Sequence, residues 1–114
     1  MSLKFLTLYA KQLDRTVAVY EALGIEFERE KHGDGPIHFS HSTRDLIIEI
    51  YPAGSRVVAE SMILGFTVTD LATVRNLLLE NGVTILKDID VVDGATRMIF
   101  EDPDGRRLFI STDA

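Results

Sequence analysis

The chain has 114 residues, 46% of them hydrophobic and 26% charged, the balance of an ordinary soluble globular fold long enough to bury a core without cross-links. It contains no cysteine, which excludes disulfides, thiolate metal sites and a cysteine nucleophile, and its formal charge of −6 argues against nucleic acid as a partner. No apolar run is long enough to span a bilayer, and the first residues lack the basic and apolar regions of a secretory leader. No membrane association and a cytoplasmic location are therefore the expectation.

Lys4 to Tyr9 alternates as a strand, with Leu6 and Leu8 on one face and Phe5, Thr7 and Tyr9 on the other. The period then lengthens. Leu13, Val17 and Tyr20 recur at helical spacing, with Val19 and Leu23 beside them, and Gly24 stands where a helix end takes a left-handed residue. Ile25 to Glu30 reads as a second strand, Lys31 to Pro36 as a polar turn full of breakers, and Ile37 to His41 as a third strand. A turn at Ser42–Asp45 leads into Asp45–Pro52, a β-branched run that wants burial on both faces yet carries Glu49 in its middle.

After a connector from Ala53 to Ser61 the same grammar restarts. Ile63 to Thr69 is a strand, Asp70 is placed to cap a helix through Leu71, Val74, Leu77 and Leu78, and Asn81-Gly82 ends it. Val83 to Leu86, Ala95 to Glu101 and Arg107 to Ser111 complete the set, the last two flanking the turn Asp102-Pro103-Asp104-Gly105. Leu71 lies 58 positions after Leu13, and Gly82 58 after Gly24, a shared register that points to duplication. The expected fold is a single α+β domain over residues 1–114, made of two βαβββ modules at about 3–52 and 62–112. Each sheet can cover one face with its single helix, so the other faces are expected to line a curved mixed sheet around a concave pocket.

Leu13-Asp14-Arg15-Thr16-Val17-Ala18-Val19-Tyr20-Glu21-Ala22-Leu23-Gly24 resembles the Asp-Leu-x-x-Ser-x-x-Phe-Tyr-x-x-x-Leu-Gly stretch of the vicinal oxygen chelate superfamily, and Asp102-Pro103-Asp104-Gly105 its turn before the last strand. The superfamily takes in glyoxalase I, extradiol dioxygenases, epimerases, fosfomycin resistance enzymes and bleomycin resistance proteins. The resemblance implies the fold just described; it does not choose among reactions. It also implies a divalent metal held by four strand positions, which fall here on Phe5, Glu49, Ile63 and Phe109. Only Glu49 of these offers a donor atom.

Burying an ionised carboxylate costs several kcal/mol unless it is paired, so Glu49 belongs either at an exposed edge or in a site; alternation and the family register both point it into the concavity. A two-residue turn before its strand would put His38 directly across from Glu49. His41 falls on the opposite face, and His32 belongs to the glycine-rich loop as a solvated residue. The ligand-binding set expected from alternation is Phe5, Thr7, Tyr9, His38, Glu49, Tyr51, Ile63, Met98, Arg107 and Phe109, with Thr67 beside it. No metal is assigned, because three of the four positions are apolar, and with hydrolase triads and phosphate-cradling loops absent no cofactor or catalytic residue is assigned either. The reading leans away from an enzyme and toward a metal-free homodimer that sequesters a small organic molecule, cationic or aromatic, such as an antibiotic. A metal-dependent lyase, isomerase or dioxygenase is the alternative, and a scaffold with a closed pocket the second alternative.

Overall fold

The computed structural model of the protein describes residues 1–58 and 61–112. Part of the expected connector, residues 59–60, lies outside them, as do residues 113–114. Ten elements follow in the order β1 (Phe5–Ala10), α1 (Leu13–Glu21), β2 (Glu28–Glu30), β3 (His38–Ser42), β4 (Ile47–Pro52), β5 (Ile63–Thr67), α2 (Leu71–Glu80), β6 (Thr84–Val92), β7 (Ala95–Glu101) and β8 (Arg107–Ser111). This is βαβββ twice. The strands form two four-stranded mixed sheets, β1-β4-β3-β2 and β5-β8-β7-β6, in which only β1 with β4 and β5 with β8 run parallel.

The helices end where the chain says they should. Asp70 accepts from the backbone N–H of Thr73 (3.1 Å) and from its hydroxyl (2.7 Å), closing the first turn of α2. Gly24 and Gly82, the landmarks of the duplication, both take the left-handed backbone that follows a helix, at φ of 102° and 70°. The second module departs from expectation at β6, which runs to Val92 rather than stopping near Leu86. Asp93-Gly94, both at positive φ, makes a two-residue hairpin turn whose twist matches the flanking strands. The charged run Lys87-Asp88-Ile89-Asp90 conceals this strand in the sequence; it is an edge, broken by two register shifts, where charge is tolerated.

One core serves both modules. Leu8, Val17, Val19, Tyr20 and Ile50 from the first pack with Val68, Leu71, Leu78, Met98, Phe100, Leu108 and Ile110 from the second, and the Tyr20 ring meets Phe66 edge-on at 6.2 Å. Fully burying a side chain of this size is worth about 1.5–3 kcal/mol. A polar seam crosses the same boundary. Asp102 accepts from the Tyr20 hydroxyl (2.7 Å), Asp104 from the Lys11 N–H and the Thr16 hydroxyl (both 2.9 Å), and Arg106 donates to the Tyr9 carbonyl. The Asp-Pro-Asp-Gly turn is thus a clasp between modules, with Gly105 at φ 89° closing it.

Candidate functional site

Each sheet turns one face to its helix and leaves the other free. On the first sheet the free face carries Phe5, Thr7 and Tyr9 from β1, Glu49 and Tyr51 from β4, Ser40 and His38 from β3, and Glu30 from β2. The register follows from Thr7 opposite Glu49, Tyr9 opposite Tyr51, Ser40 opposite Glu49 and Glu30 opposite His38. Glu49 is half-buried there. Its Oε1 accepts from the Thr7 hydroxyl and its Oε2 from the Tyr51 phenol, each at 3.4 Å. No basic side chain forms an ion pair with it among the described residues. Partial burial, and then the Glu49 charge, push the Tyr51 phenol above its ordinary value. The Tyr9 and Tyr51 rings lie 6.2 Å apart, and the Arg56 guanidinium sits 4.7 Å from the Tyr9 ring.

The expected register of the β3–β4 hairpin is corrected by the structure. Ser40, not His38, stands across from Glu49, and Ser42 pairs with Ile47. The turn is centred one residue later than expected: the Thr43 N–H and hydroxyl donate to the Leu46 carbonyl and the Leu46 N–H donates to the Thr43 hydroxyl, so Thr43 and Leu46 close the turn around Arg44-Asp45. His38 is carried two residues along and lies flat on Tyr51, with ring centroids 4.2 Å apart and planes within 5°. It remains on the free face with Glu49, while His41 points the other way, its Nδ1 2.7 Å from the Glu26 carbonyl.

On the second sheet the free face carries Ile63 and Thr67 from β5, with Gly65 between them, and Arg107 and Phe109 from β8. The Arg97 guanidinium lies 5.8 Å from the Phe109 ring and is held by Asp90 at 3.0 Å. Met98 is not part of this face. It pairs with Ile110, is wholly buried and belongs to the core; Ile99, opposite Phe109, takes the position expected of it. Alternation counted from Phe109 across the turn was displaced by one residue, which transfers every side chain to the other face. The expected set therefore divides between the first sheet (Phe5, Thr7, Tyr9, His38, Glu49, Tyr51) and the second (Ile63, Arg107, Phe109). Phe5 is 56% exposed and Ile63 66% exposed, so each free face is open where β1 and β5 begin.

The donor set tests the metal implied by the resemblance. Thr7 opposite Glu49 and Gly65 opposite Phe109 make Glu49 and Phe109 equivalent positions of the two modules, and Phe5 and Ile63 are likewise equivalent at the strand starts. Three hydrocarbon side chains supply no lone pair, and one carboxylate does not replace the hydration of a divalent ion. These four positions do not fit a metal.

A different group of donors does converge, and the sequence reading missed it. One ligand atom from each of Glu30, His32 and His38 lies within 4.8 Å of the others, with His32 Nε2 3.3 Å from Glu30 Oε2. The signal was partial: Glu30 and His32 are two apart, but β2 ends at Glu30, and the loop over 31–37 separates it from His38, which opens β3 opposite Glu30. The strand break at Lys31 and the glycines beyond it concealed the pattern.

The fold has counterparts in known structures. The chain is similar to a glyoxalase-related enzyme from Fulvimarina pelagi (17% identity, TM-score 0.75, 99% of this chain and 88% of that one) and to the oxidase ChaP-H2 (20% identity, TM-score 0.76, 100% and 94%). An integron cassette protein from the mobile metagenome of V. cholerae is similar too (25% identity, TM-score 0.68, 100% and 96%). No curated protein matches the sequence. The profile of one family matches residues 2–109, and by that match the chain belongs to the Glyoxalase/Bleomycin resistance protein/Dioxygenase superfamily.

Proposed function

We propose that the protein binds a small organic molecule bearing a cationic or hydrogen-bond-donating group and an aromatic or apolar body, and holds it without a metal at the family's four positions. The observation that carries this reading is Glu49: a half-buried carboxylate on an aromatic face, answered among the described residues by two long hydroxyl bonds and by no cation. A ligand cation there recovers a charge-assisted bond that the empty protein lacks. Tyr9, Tyr51 and Phe5 offer ring surface around it, and Phe109 with Ile63 an apolar wall on the second sheet. The exposure of Phe5 and Ile63 supports a homodimer in which each free face is covered by the partner's.

Thermal shift with a panel of cationic aromatic compounds, including glycopeptide drugs of the bleomycin kind, tests the reading. Glu49→Gln keeps the shape and removes the charge. Truncating one partner of a buried charge pair costs about 2–5 kcal/mol, and half-burial puts Glu49 at the low end, about a 30-fold loss of affinity. Native protein stabilised far more than the Glu49→Gln variant is the expected result. Equal shifts in both would remove Glu49 from recognition, and no shift with any compound would favour a closed scaffold.

A further inference from the structure

We infer that Glu30, His32 and His38 form a binding site for a borderline divalent metal ion, at the β2–β3 end of the first sheet and away from the four positions where the family places its metal. The three residues offer two imidazoles and one carboxylate, a donor set suited to Zn²⁺, Co²⁺ or Ni²⁺. Their ligand atoms lie within 4.8 Å of one another. A tetrahedral ion with bonds of about 2.0–2.1 Å needs donors about 3.4 Å apart. The 3.3 Å between His32 Nε2 and Glu30 Oε2 already meets that spacing, and His32, exposed at the loop, is free to move the remaining distance.

The independent observation is the state of His38. It is 2% exposed, yet its Nε2 has no hydrogen-bond partner among the described residues. A buried polar atom left without a partner is uncommon and calls for a ligand, an ion or a water. The other ring nitrogen accounts for the tautomer. Nδ1 lies 3.2 Å from the Pro36 carbonyl, which only accepts, so in the neutral ring Nδ1 carries the proton and Nε2 keeps its lone pair. A ring N–H bonded to a backbone carbonyl, with the opposite nitrogen free, is the usual posture of a histidine ligand. Tyr51 stacked on the ring fixes its plane, and the His32 ring stands 5.1 Å away at 36°. With three protein ligands, an ion here keeps at least one position for water or for an atom of a bound molecule.

The test uses full-length protein free of any histidine tag and stripped with chelator. Zn²⁺, Co²⁺ and Ni²⁺ are titrated separately by calorimetry, with the visible spectrum of Co²⁺ reporting its coordination. One ion per chain is expected, with Co²⁺ bands of a low-coordinate nitrogen and oxygen site. His32→Ala removes an exposed ligand without touching the core and is expected to weaken binding by about 100-fold or more, beyond the about 10–100-fold that loss of a supporting residue costs. His38→Gln is expected to do the same, and His41→Ala, on the opposite sheet face, to leave affinity unchanged. Absence of stoichiometric binding would overturn the proposal, as would equal losses in His32→Ala and His41→Ala. Binding abolished by Glu49→Gln but retained in His32→Ala would place the ion at Glu49 and overturn it as well.

Discussion

Replacing Asp102 by alanine opens the clasp between modules at its most buried point. The Asp102 side chain is 0% exposed and that of Arg106 4% exposed, and they meet at 2.9 Å. The carboxylate also accepts from the Tyr20 hydroxyl and from the backbone N–H groups of Asp104 and Arg106. Its removal leaves a guanidinium in the core with the Tyr9 carbonyl and the more distant Asp104, 3.6 Å away, as remaining partners. Breaking a buried pair from one side costs about 3–5 kcal/mol. Asp104 compensates in part, so about 3 kcal/mol is expected, which in a domain of this size lowers Tm by about 10–20 °C. Tyr20→Phe in the same network should cost about 1.5–3 kcal/mol, the worth of a bond to a charged acceptor. The double variant Asp102→Ala with Arg106→Met removes both charges and should recover most of the loss. Urea titrations of the native protein, the singles Asp102→Ala and Arg106→Met and their double variant read the coupling directly. The network also has a pH signature. Burial, and then the Asp102 charge, push the Tyr20 phenol well above its ordinary 10.0, so its contribution is complete below pH 10 and lost as pH rises beyond it. A loss below about 1 kcal/mol in Asp102→Ala, or a double variant as unstable as the sum of the singles, would refute the reasoning.

At the other end of the second module the Arg75 guanidinium holds Asp88 by two bonds of 2.7 and 2.8 Å, lowering that carboxyl from 3.8 to about 2. A depressed acid stabilises above its ordinary value and loses that contribution as pH falls. The native Tm should therefore drop more steeply than that of Asp88→Asn between pH 3.8 and about 2, and parallel curves would count against the pair. Sedimentation equilibrium at micromolar concentration should give a homodimer, and Phe5→Asp on the exposed first face should shift it toward monomer. A native monomer would remove the partner from the proposed groove.

The helices, the module repeat and the side of the first sheet that bears Glu49 were all legible, because each rests on a period or a cap local in sequence. Leu13, Val17 and Tyr20 state a helix face, Asp70 states its own cap, and alternation from Phe5 to Tyr9 needs no partner. What failed was pairing across turns. A turn closed by Thr43 with Leu46 instead of Ser42 with Asp45 shifts the pairing by two residues, and that single difference sets His38 against Tyr51 and not Glu49. A slip of one residue in the second module put Met98 on the wrong face. The turn Asp102 to Gly105 could be recognised by likeness, but its role as a clasp depends on Tyr20 and Tyr9, both more than 80 residues away.

The two modules share a fold but divide the chemistry of their free faces. At the position where the first carries Glu49, supported by Thr7 across the strand pair, the second carries Phe109 with Gly65 across from it. The polar groups of the first face are joined through one residue: Tyr51 donates to Glu49 with its hydroxyl and stacks its ring on His38, which clusters with His32 and Glu30. The second face offers hydrocarbon at Ile63 and Phe109 and two cations, Arg97, engaged by Asp90, and the exposed Arg107. A ligand resting across both kinds of surface would find its charge partner on one and its apolar enclosure on the other. Changes at Phe109 should thus alter affinity for many compounds alike, whereas changes at Glu49 should alter which compounds bind, since an uncompensated carboxylate discriminates by charge and an apolar wall does not.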